Sequence, residues 1–245
     1  MRTSRLAVLA SFSVVVTLLS TGPALAASRP TVGYDVSYPQ CDGRLPKDPA
    51  FGIVGVSDGL AYGENPCLAQ QYAWASGARK PPAFYMNIGN PGTATTRTDW
   101  YRQDGPRTCD ASHEAGCAYN YGFFAAGDAF DLATARTGAP PSAMWWLDVE
   151  TANSWSADPA LNIEAIQGSI DYLTAVARVT AVGIYSTGYQ WGQITGGARL
   201  PVPSWVAGAL NAKSAAGMCA ASFTGGPVQL VQYASGGFDA DYACP

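Results

Sequence analysis

Histidine is nearly absent: His113 is the one copy in 245 residues. A Ser-His-Asp hydrolase needs a histidine beside its nucleophile, and zinc sites draw on several His or Cys ligands at short spacing. His113 sits in a polar stretch, and no Cys-x-x-Cys pair accompanies it. We therefore expect no metal and no cofactor. Charge is sparse as well, at 13% of residues, with 14 Lys and Arg against 18 Asp and Glu and a net charge of −4. The basic residues form no run and no helical patch, which argues against a nucleic-acid partner. After the first 26 residues no apolar run approaches the ~20 residues that a membrane-spanning helix requires.

Those first residues read as an address. Arg2 and Arg5 precede an apolar stretch from Leu6 to Leu19, Gly22-Pro23 breaks it, and Ala24-Leu25-Ala26 supplies small residues for cleavage. This is the pattern of a secretory signal peptide at 1–26. The expected mature chain is 27–245, one domain of 245 − 26 = 219 residues whose net charge is −4 − 2 = −6 without the two arginines. We expect it to be secreted, extracellular or in the cell wall, monomeric, and not stably inserted in a membrane. Six cysteines in an exported chain favour disulfides. Cys109 with Cys117, Cys219 with Cys244 and Cys41 with Cys67 is one of the fifteen connectivities available to six cysteines. Seven Trp and thirteen Tyr in a weakly charged chain also suit sugars, whose C–H faces pack on aromatic rings, although most such rings serve cores.

Short apolar runs recur along the chain and finish in polar residues. Strands are expected at Val32–Ser37, Phe51–Ser57, Ala83–Ile88, Met144–Glu150, Val182–Ser186, Ser204–Ala207, Val228–Tyr233 and Phe238–Tyr242. Helices are expected behind Asn65-Pro66 to about Ser76, along Phe123, Ala126, Phe130 and Ala133, and behind Asp158-Pro159 along Ile163, Ile166, Ile170, Leu173 and Ala177. Alternation of strand and helix predicts an α/β fold, and eight strands in one domain predict a TIM-type barrel variant, with helices mainly in the first part. Asn90 to Cys117 reads as an inserted loop, whereas Arg199–Pro203 and Asn211–Gly226 read as plain connections. Asp35, Asp58, Asn87, Asp148 with Glu150, Tyr185, Gln232 and Asp239 are all expected near C-terminal strand ends, the face where barrels of this kind build active sites.

The sharpest chemical signal is Trp145-Trp146-Leu147-Asp148-Val149-Glu150. Residues two apart on a strand share a face. Two carboxylates aimed into one space resist ionising together, so one is held as an acid near neutral pH. Glycoside hydrolysis uses such a pair, one carboxyl as proton donor and one as ionised partner. Strand-end carboxylates that merely face water would produce the same motif.

Further matches appear in order along the chain. Gly33-Tyr34-Asp35-Val36-Ser37-Tyr38-Pro39-Gln40 resembles the opening G-x-D-V-S-x-x-Q strand of the glycoside hydrolase family 25 lysozymes. Ser57-Asp58-Gly59 with Tyr62 and Asn65-Pro66 is similar to that family's T-E-G…Y…D-P segment. Leu147-Asp148-Val149-Glu150 resembles its L-D-x-E strand and Trp205-Val206-Ala207 its W-V-A. Gln232-Tyr233 with Gly237-Phe238-Asp239-Ala240-Asp241 resembles its closing Q-Y…G-x-D-x-N. Asp58 stands where the family usually has Glu, Asp241 where it usually has Asn, and Phe84-Tyr85-Met86-Asn87 replaces the usual Y-H-F strand end. A chitinase-like D-x-x-D-x-D-x-E strand is not matched, since Trp146 occupies the place of its third acid.

The resemblance implies a secreted N-acetylmuramidase, a lysozyme-type hydrolase that cleaves the β-1,4 bond between N-acetylmuramic acid and N-acetylglucosamine. Its partner would be peptidoglycan or a related glycan. Glu150 would protonate the leaving oxygen, Asp148 would be the ionised partner, and Asp35 and Asp239 would complete the acidic cluster. Asp58, Tyr62, Asn87, Tyr185, Trp205 and Gln232 are the expected substrate-binding residues. Strand spacing is compatible with both retaining and inverting geometry. The competing function class is a non-catalytic barrel that binds wall glycan or a protein partner.

Overall fold

A computed structural model describes residues 31–92, 104–138 and 143–245. The signal-peptide reading at 1–26 lies outside these residues, as do positions 93–103 of the expected loop. Eight strands close into one barrel in sequence order. They are β1 (Val32–Val36), β2 (Gly52–Gly55), β3 (Ala83–Asn87), β4 (Met144–Asp148), β5 (Ala181–Ser186), β6 (Ser204–Ala209), β7 (Val228–Ser235) and β8 (Phe238–Ala243). All eight coincide with the expected runs, and the α/β barrel is the architecture expected of them.

β1 to β7 are parallel neighbours, whereas β8 runs antiparallel to both β7 and β1. Parallel neighbours need long crossovers, but an antiparallel pair needs only a tight turn. Gly236 and Gly237, with φ of 62° and 85°, supply that turn between the paired Ser235 and Phe238. Two positive φ values in a two-residue hairpin define the turn type whose twist suits antiparallel strands, and glycine adopts it without steric cost.

Among the described residues, five α-helices occupy five of the six crossovers between parallel strands: α1 (Leu68–Ser76), α2 (Glu114–Thr137), α3 (Pro159–Asp171), α4 (Gly188–Thr195) and α5 (Ala212–Gly217). α1 starts later than expected. Asn65 is instead a buried tie whose amide donates to Gly55 O and Gln71 Oε1, and whose Oδ1 accepts from the Cys67 amide. Asp158 caps α3 as expected, accepting from the Ala160 amide at 2.9 Å. α4 and α5 were not anticipated. α4 holds Gly188 and Gly192 and buries only Trp191, Ile194 and Thr195, while α5 buries Ala215 alone. Such short helices leave no apolar period to read. The Asn90–Cys117 loop also ends earlier than expected, because α2 begins at Glu114, and the Cys109–Cys117 disulfide ties the segment to the first turn of that helix. Cys41–Cys67 and Cys219–Cys244 complete the expected pairing.

Period-two alternation divides the apolar residues between two cores. On β4, Trp145 and Leu147 face the helices, and Trp145 stacks on Phe84 with ring centroids 5.2 Å apart. Trp146 faces the barrel interior and meets Trp205 edge-on at 5.6 Å, packed with Ile53 and Leu230. The same alternation turns Asp148 inward. Outside the barrel, α2 lies against α3 with glycines at the contact: a Cβ on Gly122 would overlap Ala165 O, and one on Gly168 would overlap Tyr119 O. Ser169 Oγ donates to Gly122 O at 2.8 Å across this seam.

Gly168→Ala must therefore push the two helices apart and should destabilise the fold by about 1–3 kcal/mol. Gly192→Ala, on an exposed helical position with open space around it, should stabilise by roughly 0.5–1 kcal/mol. Denaturant midpoints of the two variants should move in opposite directions.

Candidate active site

The C-terminal ends of β1 to β7 form one mouth of the barrel. Asp239 arrives there differently from the expectation. It is the second residue of β8, close to that strand's N-terminal end, and reaches the same mouth because β8 runs in reverse, opposite Asp35. Asp35, Asp148, Glu150 and Asp239 line one cavity of about 130 Å³, closed at the sides by Tyr85, Tyr185 and Trp205. Two larger cavities of about 310 Å³ lie elsewhere. One sits beside Tyr62 and Asn87 against α2, and the other at the opposite end of the barrel around Phe51, Met144 and Leu230. Neither gathers this carboxyl cluster.

Each acid has a distinct setting. Asp148 is buried at the end of β4, and its Oδ2 accepts from Asn87 Nδ2. Ser57 fixes that amide: its hydroxyl donates to Asn87 Oδ1 at 2.8 Å and accepts from the Asn87 backbone amide at 3.0 Å. The second oxygen of Asp148 is buried without a hydrogen-bond partner. Asp35 is buried on β1 and accepts from Gln232 Nε2 at 2.9 Å, while Gln232 Oε1 accepts from the Tyr185 hydroxyl at 2.8 Å. Glu150 lies two residues beyond Asp148, past the end of β4, and is half-buried. Its backbone carbonyl accepts from Trp155 Nε1 at 2.7 Å and from the Asn153 amide at 3.1 Å, which holds the turn. Its carboxyl is hydrogen-bonded by Gln190, whose Oε1 is occupied by the Thr151 amide at 2.6 Å.

Burial raises the pKa of every acid in the group. Asp35 is pushed up to about 7 by burial first and the Asp239 charge second, against the Gln232 hydrogen bond. Asp148 is held well above the usual carboxylate range by burial, Glu150 and Asp35, against the Asn87 hydrogen bond. Burial raises Glu150, with the Gln190 hydrogen bond opposing and Asp239 adding. Burial alone raises Asp239. Among the described residues no Lys, Arg or His forms an ion pair with any of them.

The expected substrate-binding residues divide. Tyr185 and Trp205 line the cavity, and Asn87 and Gln232 hold its carboxylates. Trp205 is fully buried, its indole N–H donating to Asp241 at 2.8 Å. Asp58 is exposed on the loop after β2. Tyr62 donates to Tyr121 O at 2.9 Å and packs edge-on against that ring, beside the neighbouring cleft. Sequence reasoning missed Ser57 and Gln190, which act through other residues. It also missed Tyr85, although the in-facing position of Tyr85 follows from the alternation along β3.

The raised carboxyls set the pH dependence of stability. A group whose folded-state pKa lies above its unfolded value near 4 stabilises the fold fully below that value, and this contribution is lost as pH rises through the folded pKa. For Asp35 the window runs from 3.8 to about 7. Stability to denaturant should therefore fall from pH 4.5 to 7.5, by about 1.4 kcal/mol per pH unit for each proton released. Equilibrium unfolding of the oxidised protein at steps of one pH unit measures it.

No match to a curated protein is found by sequence. A family model described as lysozyme-like protein 1 matches residues 136–216. The fold resembles the muramidase of Trichobolus zukalii, with a TM-score of 0.55 at 16% identity over 88% of this chain and 94% of that one. It also resembles the catalytic domain of endolysin ply40 from bacteriophage P40 of Listeria monocytogenes, at 0.56 and 18% over 90% and 95%. The modular autolysin LytC of Streptococcus pneumoniae matches at 0.54 and 16%, over 89% of this chain and 47% of that one. A segment similar to the lysozyme-like protein 1 family thus spans residues 136–216, and the chain shares its barrel fold with these proteins.

Proposed function

We propose that the mature chain is a secreted glycoside hydrolase that cleaves the β-1,4 bond between N-acetylmuramic acid and N-acetylglucosamine in bacterial peptidoglycan. The observation that carries this reading is the unequal setting of Asp148 and Glu150 in one cavity. Glu150, half-buried at the rim with its pKa raised, is the proton donor to the leaving glycosidic oxygen. Asp148 lies deeper and is the partner that carries the charge while Glu150 holds the proton; the Asn87 amide favours that charge against the burial and the neighbouring acids that raise its pKa. Asp35 and Asp239 complete the acidic cluster.

Glycan enters from the open side of the mouth. Tyr62 and Asp58 contribute from the loop after β2, whereas Asn87, Tyr185, Trp205 and Gln232 form the wall and the supports of the carboxylates. Four buried or half-buried carboxyls, Asp35, Asp148, Glu150 and Asp241, lie beside the exposed Asp239 without an ion-paired cation among the described residues and burden the fold, and a catalytic role accounts for their retention. The enzyme acts outside the cell or in the wall as a monomer.

Digestion of purified peptidoglycan by the mature protein should release fragments with muramic-acid reducing ends, read by mass spectrometry. Glu150→Gln should lower the rate by about 10²–10⁴-fold, the usual contribution of a positioned acid. Wild-type activity should decline as pH rises past the pKa of Glu150; a flat profile from pH 4 to 8 contradicts the assignment. Binding of glycan fragments without products, from folded protein on several wall types, would instead establish a non-catalytic binding barrel.

A further inference from the structure

Beneath the cavity lies an acid that the proposed mechanism does not use. Asp241, on β8, is completely buried. One of its oxygens accepts from the Trp205 indole N–H at 2.8 Å. The other is buried with no N–H or alcohol donor to accept from, and the carboxyl is hydrogen-bonded with that of Asp35. Two carboxyl groups can hydrogen-bond only if one carries a proton. The surroundings decide which one does. Each accepts from one neutral side-chain donor, Gln232 for Asp35 and the Trp205 indole for Asp241, but Asp35 keeps 8% of its surface open whereas Asp241 has none and leaves one oxygen buried and unpartnered, so the proton belongs to Asp241.

We propose that Asp241 is a neutral acid at working pH, a positioning residue whose O–H donates to Asp35 and fixes that carboxylate at the floor of the site. The groups around it agree. Asp35 on β1 and Asp239 on β8 are the acids whose charges act on it, and both disfavour a further negative charge. Tyr233 on β7 carries a hydroxyl whose pKa is raised, first by burial, so it brings no charge to Asp241. Gln232, its register partner on β7, and Trp205 on β6 are neutral, and Gly33 opposite it on β1 has no side chain. No cation is paired with the cluster among the described residues. Burial and the neighbouring acids together raise the pKa of Asp241 well above the usual carboxylate range. The proton therefore acts as a structural part of the floor, supplying the one donor that an ionised aspartate lacks.

The inference rests on the glycosidase reading only for its effect on activity, so its test has two independent arms. In mature protein labelled with ¹³C-aspartate, the Asp241 carboxyl resonance should stay at the protonated position from pH 4 to 7. A carboxylate resonance titrating near pH 4 with the ordinary aspartates would overturn the proposal. Asp241→Asn keeps both a donor to Asp35 and an acceptor for Trp205 but has no proton to lose. Its folding equilibrium constant relative to wild type should grow about tenfold per pH unit across the range where wild-type Asp241 releases its proton on unfolding. A ratio that stays constant from pH 4.5 to 7.5 contradicts the idea. For activity, Asp241→Leu should move the acid limb of the peptidoglycan pH profile upward, because Asp35 loses its donor, and Asp241→Asn should largely restore it. A limb that moves in neither variant removes the positioning role. If the wild type hydrolyses nothing, the glycosidase reading fails, while the resonance and the stability ratio still decide the state of Asp241.

Discussion

Repulsion among carboxyl groups is the constraint around which the upper half of this barrel is organised. Asp35, Asp148, Glu150, Asp239 and Asp241 converge on one mouth with no ion-paired cation among the described residues. Side-chain amides hold three of them, and those amides are themselves held. Ser57 occupies the oxygen of the Asn87 amide, Tyr185 that of Gln232, and Thr151 that of Gln190. In each case the amide can turn only its N–H toward the acid. A cation at any of these places would lower the pKa of the acid beside it and weaken that acid as a proton donor. Amides temper the repulsion without removing it.

The rest of the architecture serves to place this cluster at a controlled depth. Alternation on β4 sends Trp145 and Leu147 to the helices and Trp146 and Asp148 inward. The indoles of Trp146 and Trp205 fill the interior below the acids. A packed floor of this kind keeps water from beneath the site, so desolvation is the first cause of every raised carboxyl there. Glu150 escapes the deepest burial because β4 ends at Asp148 and the chain turns toward Asn153. Two residues of separation thus create two degrees of exposure, which is the asymmetry that acid and partner require.

Much of this was legible in the chain. All eight strands announced themselves as short apolar runs, and the in-facing pair Asp148 and Glu150 followed from strand periodicity alone. What was not legible has physical causes. The direction of β8 depends on a two-glycine hairpin, and without it Asp239 is assigned to the wrong end of its strand. Short glycine- and alanine-rich helices such as α4 and α5 bury too few side chains to leave a period. Trp205 and Asn87 read as sugar-contacting residues because aromatic and amide groups suit glycans, yet the Trp205 indole donates inward to Asp241 and the Asn87 amide is committed to Asp148. No motif records where a hydrogen bond goes. Ser57, Gln190 and Asp241 act through other residues and become visible only when the pairing partners are in place.

The antiparallel closure by β8 also joins the two ends of the barrel sequence. β1 and β8 are the first and last strands of the chain, and the bond between Gln232 and Asp35 spans 197 residues. Closing so long a loop costs chain entropy that structure already formed reduces. Seven strands can assemble with Asp35 and Asp148 facing an open trough wetted along one side, where carboxyls titrate as they do in water. Only the final hairpin, turning at Gly236 and Gly237 and held beside α5 by Cys219–Cys244, shuts water out and delivers Asp239 and Asp241. The chemistry of the site therefore depends on the last strand: without β8 the barrel stays open, and Asp35 loses both the neighbouring Asp239 charge and much of the burial that raise it.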